Sequence, residues 1–392
     1  MKKTILLLVS LMTLCSDLIP QASIDKILTE VEKNNTTLFA FRKTIDARNT
    51  GNKTHIFLQN PEIGFSYLWG NPADIRNRVD FSLIQSFDFP TAYGYRKQIS
   101  NLRNEQAELE YQKQLRDILL KTKLICFDLI YTNGLRNEYA RRLSHAENIA
   151  ESYNAGFDLG EINILDLNKA KLNLLNSEKE LESINIQRKL LLSELAALNG
   201  GQVIDMTDTV FETISVPADF ELWYLTAEKS NPVLEWLKKE VDITHKQVQL
   251  SRAGSLPEFQ TGYMSETIVN QQFRGITAGI SIPLWENKNK VKYAMANSIA
   301  SESIAGDNKL QFYNHLKAVH SKAIALHENV NDFRQNLRSL DNTHLLKKAL
   351  DKGEISLINY MIELSIYYQS LNRLLELERD LNKTVAELKQ YE

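Results

Sequence analysis

The feature that most constrains the fold of this 392-residue chain is that it is written twice. Glu32-Lys33-Asn34-Asn35-Thr36-Thr37-Leu38 recurs loosely as Glu228-Lys229-Ser230-Asn231-Pro232-Val233-Leu234, and Pro61-Glu62…Tyr67 recurs as Pro257-Glu258…Tyr263, both at an offset of 196. Gly160-Glu161-Ile162 recurs as Gly353-Glu354-Ile355 at an offset of 193. A duplication of this span makes about half the protein the structural unit, far longer than a solenoid repeat. It divides the chain into a first repeat over 23–216 and a second over 217–392, each expected to run helix, hairpin, long helix, turn, helix. Three residues drop out of the second copy between the Tyr67/Tyr263 and Gly160/Gly353 landmarks, either in a hairpin loop or in the long helix.

Proline placement says what fills these repeats. The eight prolines stand at 20, 61, 72, 90, 217, 232, 257 and 283, so 91–216 and 284–392 contain none. Such runs, rich in Leu, Glu, Lys, Gln and Asn, read as long helices. Tyr93 to Ala155 would rise ~95 Å as one helix, broken by Gly156 and Gly160, with a second helix from about Ile164 to Leu198. That second helix carries a seam spaced alternately by three and four: Leu167, Ala170, Leu174, Ser177, Leu181, Ile184, Arg188, Leu191, Leu195, Leu198. Its copy runs Tyr360, Glu363, Tyr367, Ser370, Leu374, Leu377, Leu381, Thr384, Leu388, Tyr391. A period of 3.5 is that of coiled-coil packing.

Each repeat also holds two segments of period two, the strand signal. They lie at about 62–69 (Ile63, Phe65, Tyr67, Trp69), 79–89 (Val79, Phe81, Leu83, Phe87, Phe89), 258–267 (Phe259, Tyr263) and 276–284 (Ile276, Ala278, Ile280, Ile282, Leu284). Loops at Gly70–Asn77 and about Ile268–Gln272 make two hairpins. Four half-apolar strands leave open edges and one greasy face. Either that face packs on a helix, or the strands stand in a membrane with apolar residues toward lipid and Gly, Ser, Asp and Glu toward a lumen. In the second case four strands cannot close a barrel alone, and several chains must share one. Trp69, Phe89 and Trp285, near strand ends, fit an interfacial girdle.

Composition narrows the function classes. With 46 basic and 49 acidic residues there is no nucleic-acid footprint. Two cysteines make no disulfide framework, and Cys126 reads as a small buried residue within an apolar run. Lys2, Lys3 and the apolar stretch Ile5 to Leu14 read as a secretory signal over 1–22, with Cys15 as an alternative lipidated first residue. No other stretch reaches the ~18 apolar residues of a membrane helix. His315, His320 and His327 share one helix without metal-ligand spacing. No phosphate loop, nucleophile elbow or other catalytic motif appears, so no cofactor, metal or catalytic residue is expected.

Taken together in order, Asn231-Pro232-Val233-Leu234, Leu256-Pro257-Glu258-Phe259, Ile280-Ser281-Ile282-Pro283-Leu284-Trp285 and Gly353-Glu354-Ile355 resemble the TolC-like outer-membrane efflux and secretion channels. The first copy is degenerate, with Thr36 where the second has Pro232. The resemblance implies a mainly α protein with a small β part, whose homotrimer forms a 12-stranded β-barrel continued by a coiled-coil helical barrel. It also implies residence in a Gram-negative outer membrane with a periplasmic extension. Such a channel would be a passive, non-enzymatic exit duct of a tripartite efflux or type I secretion system. Its partners would be outer-membrane lipid, a periplasmic adaptor and an inner-membrane pump.

Its gate would lie near the turns at 156–162 and 351–355, with Gly160, Glu161, Asp166, Gly353, Glu354 and Asn359 as candidates. Asp166 matches the acidic constriction position of such channels, whereas the second copy has Asn359, followed by apolar Ile362. The plain alternative for Glu161, Asp166 and Glu354 is stabilisation of a helix start. The alternative for the whole chain is a periplasmic coiled-coil adaptor or structural protein without a pore.

Overall fold

The computed structural model describes residues 21–72, 75–269 and 271–392. Residues 1–20, and with them most of the signal segment and Cys15, lie outside the described residues. The first half of the chain forms α1 (Gln21–Asn34), α2 (Thr36–Gly51), β1 (Glu62–Leu68), β2 (Arg78–Phe87), α3 (Thr91–Asp158) and α4 (Ile164–Leu198). The second half forms α5 (Phe220–Ser230), α6 (Pro232–Ala253), β3 (Glu258–Ile268), β4 (Gln271–Ser281), α7 (Lys290–Ser339), α8 (Thr343–Asp351) and α9 (Leu357–Leu388), closed by a 3-10 turn at Lys389–Tyr391.

The long-helix reading needs two corrections. Helix α3 is 68 residues long and runs through Gly156, stopping only at Asp158. One glycine costs a helix about 1 kcal/mol, too little to end one this long. In the second copy the helix breaks at residues 340–342, which separate α7 from α8. Asp341 makes the break: its Oδ1 accepts from the Thr343 backbone N–H (3.1 Å) and hydroxyl (2.7 Å), while Tyr367 of α9 donates to its Oδ2 (3.2 Å). An aspartate that satisfies a free N–H two residues on competes with the helix ladder and restarts the helix instead. These bonds hold the Asp341 carboxyl below the ordinary carboxylate range.

The three-residue difference between the halves lies in the hairpin. Pro61 to Pro90 spans 29 residues and Pro257 to Pro283 spans 26, whereas Pro90 to Gly160 and Pro283 to Gly353 both span 70. The structure agrees in form: residues 69–77 join β1 to β2, but only 269–270 join β3 to β4. The coiled-coil phase is therefore conserved between copies. Strand β4 begins at Gln271 and ends at Ser281, so Ile282 and Leu284 lie beyond it, as Phe89 lies beyond β2.

The chain divides into two compact units, and each draws on both halves of the sequence. One comprises the first segment through Asn35 with Leu119–Val216 and Ala323–Ala386; the other comprises Thr36–Ile118, Pro217–Lys322 and Glu387–Glu392. In the first unit all ten seam positions of α4 are buried or half-buried. In α9 the matching seam holds except at Glu363, which is exposed while the neighbouring Leu364 takes the buried place. The core of this unit contains Ala323, Val330, Leu374, Leu377, Leu381 and Val385. Cys126 is fully buried, and burial pushes its thiol up to about 12, which makes it inert. The second unit holds the sheet and an aromatic cluster of Tyr224, Phe220, Phe312 and Tyr313 around Leu316 and Leu388. There His320 donates to the Pro217 carbonyl (2.7 Å), a structural task that leaves Nε2 no metal-binding role.

Candidate functional site

The four strands form one antiparallel sheet in sequence order, with the two hairpins joined through β2 and β3. Its register turns the period-two sequence into continuous cross-sheet rows. Ile63, Leu83, Tyr263 and Ile276 are paired neighbours across all four strands. Phe87, Phe259 and Ile280 form a second row on the same face, with the two rings stacked 5.8 Å apart. Phe65–Phe81 and Tyr67–Val79 continue this face on the first hairpin. The opposite face carries Gly64–Ser82–Met264–Gly275 and Ser66–Asp80–Glu266–Phe273, with Arg78 bonded to Asp80 (2.8 Å) and Glu266 (3.2 Å). On β1 and β2 the segregation is apolar against polar except at Gln85, Leu68 and Ile84; on β3 and β4 the first face also carries Thr261, Ser265, Thr267, Gln272 and Arg274, and the second Met264, Ile268 and Phe273.

Among the described residues no helix covers the apolar face. Ile63 is 71% exposed and Ile276 87%, while Trp69 and Trp285, just past strand ends, are 80% and 81% exposed. β1 and β4 each have one unpaired edge among the described residues. Strands β2 to β4 are 10–11 residues long, the length that crosses a bilayer when tilted. Among the described residues no helix is long and apolar enough to cross a membrane.

The second group of candidates lies at the turns after α3 and α8. Gly160 (φ +78°) and Gly353 (φ +70°) are left-handed, a conformation that costs a residue with a side chain roughly 1–2 kcal/mol. Around each, the hydrogen bonds are the same. Gly160 N–H reaches the Phe157 carbonyl (2.9 Å) and Glu161 N–H the Gly156 carbonyl (2.8 Å); Gly353 N–H reaches Leu350 (2.9 Å) and Glu354 N–H reaches Ala349 (2.9 Å). This is the Schellman helix ending, twice. Glu161 and Glu354 contribute their backbone N–H groups to it, and their side chains are exposed. One apolar cluster, with Ile149, Ala170, Leu357, Tyr360 and Leu364 at its centre, packs between the helices that enter and leave the two turns.

The next helices start by different chemistry in the two copies. Asn163 caps α4: its Oδ1 accepts from the Asp166 N–H (2.9 Å), and its Nδ2 donates to Asp166 Oδ2 (2.7 Å). Lys169 adds an ion pair at 2.9 Å. Lys169 first, then Asn163, holds the Asp166 carboxyl below its usual range. In α9 the hydroxyl of Ser356 accepts from Asn359 N–H (3.3 Å), and Ile362 stands where α4 has Lys169. The acid and its cation are thus absent together from the second copy. Lys169 was not among the sequence candidates; a lysine three residues after an acidic helix-start residue was the signal for it.

No family model matches the sequence, and no curated protein matches it. Solved structures do. The Campylobacter jejuni outer-membrane channel CmeC superposes with a TM-score of 0.77 at 13% identity, over 94% of this chain and 85% of that one. CusC, described in terms of folding and transmembrane channel formation, gives 0.78 at 13% identity over 94% and 92%. The Vibrio cholerae outer-membrane protein VceC gives 0.73 at 14% identity over 94% and 95%. The chain therefore has the fold of the TolC-type outer-membrane channels over nearly its whole length.

Proposed function

We propose that the chain is an outer-membrane channel of the TolC-like family, the exit duct of a tripartite efflux or type I secretion system in a Gram-negative bacterium. The observation that carries the reading is the sheet: an uncovered apolar face, a polar opposite face and two open edges. One copy cannot satisfy those edges in lipid. Three copies, each giving four strands, close a 12-stranded barrel with the apolar rows toward lipid and the Ser66/Asp80/Glu266 face toward the lumen. Trp69 and Trp285, which follow strand ends, supply the interfacial aromatics. The shared fold of solved outer-membrane channels supports the same arrangement.

The helices continue the conduit into the periplasm, and the Gly160 and Gly353 turns form its tip. The chain supplies no chemistry to the cargo; energy and selection come from an inner-membrane pump through a periplasmic adaptor. The gate opens by realignment of the helix pairs α3/α4 and α8/α9, an equilibrium biased by adaptor contacts. Glu161, Asp166, Glu354 and Asn359 stand beside the turns, where those contacts act. Detergent-extracted protein in a planar bilayer tests the reading. Steady unitary conductance is expected; a soluble monomer extracted without detergent and lacking conductance would overturn it.

A further inference from the structure

A cavity of about 300 Å³ lies in the first unit, between α3, α4 and α9. Arg142 of α3 lines it and is only 8% exposed. Its guanidinium is held by neutral groups: Nη2 donates to Asn372 Oδ1 (2.7 Å) and the Tyr368 carbonyl (3.4 Å). The guanidinium carbon lies over the rings of Tyr368 and Tyr139, 4.2 and 4.6 Å from their centroids. Its Nε–H is buried without a partner. Among the described residues no carboxylate lies within 4.0 Å of it. Glu138, one turn back on α3, is paired with Arg141 (2.9 Å), and Glu180, which lines the cavity, is exposed.

A buried cation lacking a counter-charge is costly, and arginine does not relieve that cost by losing its proton. Cation–π attraction to the tyrosine rings helps hold the guanidinium in place. Asn173, Ser177 and Asn372 also line the space with polar groups. His145 adds no second cation, since burial and then Lys347 lower its pKa. The cavity is of the size and polarity for one small anion and too small for an extended chain.

We propose that the cavity between α3, α4 and α9 is a binding site for a small oxyanion, a phosphate or carboxylate, with Arg142 as its counter-charge. The bound anion would join α3 to α9 through the guanidinium. This site does not depend on the channel reading, since it requires only the fold of one copy.

Equilibrium dialysis of the full, detergent-extracted protein against radiolabelled inorganic phosphate tests it. One saturable site per chain is expected, with acetate competing if any small oxyanion serves and failing to compete if phosphate alone does. Arg142→Gln should weaken binding by about tenfold or more, while Lys171→Gln, at an exposed position of α4 outside the cavity, should leave it unchanged. Should Arg142→Gln fail to fold, Arg142→Lys keeps the charge but loses the planar fork, and a clear loss of affinity is still expected. Absence of saturable binding, or equal binding by wild type and the Arg142 variants, would overturn the site.

Discussion

Ile63 of β1 and Ile276 of β4 stand at opposite ends of one cross-sheet row, three strands apart, each on a strand with an open edge and each largely exposed. Leu83 and Tyr263 fill the row between them. A soluble sheet would cover such a row with a helix. Under the proposed function the row is a section of a wall that other copies of the chain continue.

Charge placed on that wall separates its two faces. Ile276→Arg should weaken assembly and membrane insertion, by about 2–4 kcal/mol if the residue lies near the bilayer midplane. Ser66→Lys, on the opposite face, should leave assembly intact and change ion selectivity. Detergent-resistant oligomer on unboiled gels and reversal potentials in bilayers read the two effects.

The paired glycines give a matched test of the turns. Gly160→Ala and Gly353→Ala each place a methyl group in open space, so the only cost is the left-handed backbone, about 1–2 kcal/mol each. Similar decreases in thermal stability of the helical signal are expected from both. A negligible effect would show that the turns relax out of the Schellman form.

Asp166 and Lys169 test the acidic constriction. The lowered pKa means that the carboxylate persists as pH falls through its ordinary value of 3.8. Lys169→Ala should increase block of conductance by divalent cations, because the acid is freed, and Asp166→Ala should abolish it. If neither changes, Asp166 serves only to start α4.

His145 gives a pH dependence of opposite origin. Its Nε2 shares a hydrogen bond with the Tyr360 hydroxyl (2.8 Å). Burial, then Lys347, lower its pKa, Asp351 partly opposing; Arg142 also lines its cavity. The unfolded chain therefore takes up this proton first. The contribution of His145 to stability is full above its ordinary value of 6.5 and is lost as pH falls through the depressed folded value. His145→Gln should flatten the pH profile of thermal unfolding below its ordinary value of 6.5; an unchanged profile would contradict this.

Much of this fold was legible in the residues. Period two in Ile63–Tyr67 and Ile276–Ile280 located strands whose pairing then aligned the apolar rows, and the Leu167-to-Leu198 spacing located the α4 seam. The place of the three-residue difference, open between hairpin and long helix in the sequence, needed the strand ends: once β1–β4 were located, Pro90 and Pro283, both 70 residues before their turn glycine, became equivalent landmarks. The break at 340–342 was less visible because it uses neither proline nor glycine. Its signal was Asp341 two residues before Thr343, whose force depends on Tyr367 from another helix. The Arg142 cavity had no local signature at all: Tyr368 and Asn372 reach it from more than 200 residues away. Long helices conceal such sites, because one polar residue on a helix face reads as solvated until a second helix covers it.

The central claim is that the open edges of β1 and β4 are closed by other copies of the chain. Native mass spectrometry of the detergent-extracted protein measures this directly. The account requires an assembly of three chains that dissociates only on heating. A stable monomer, or a dimer, would leave the edges unpaired in lipid and contradict it.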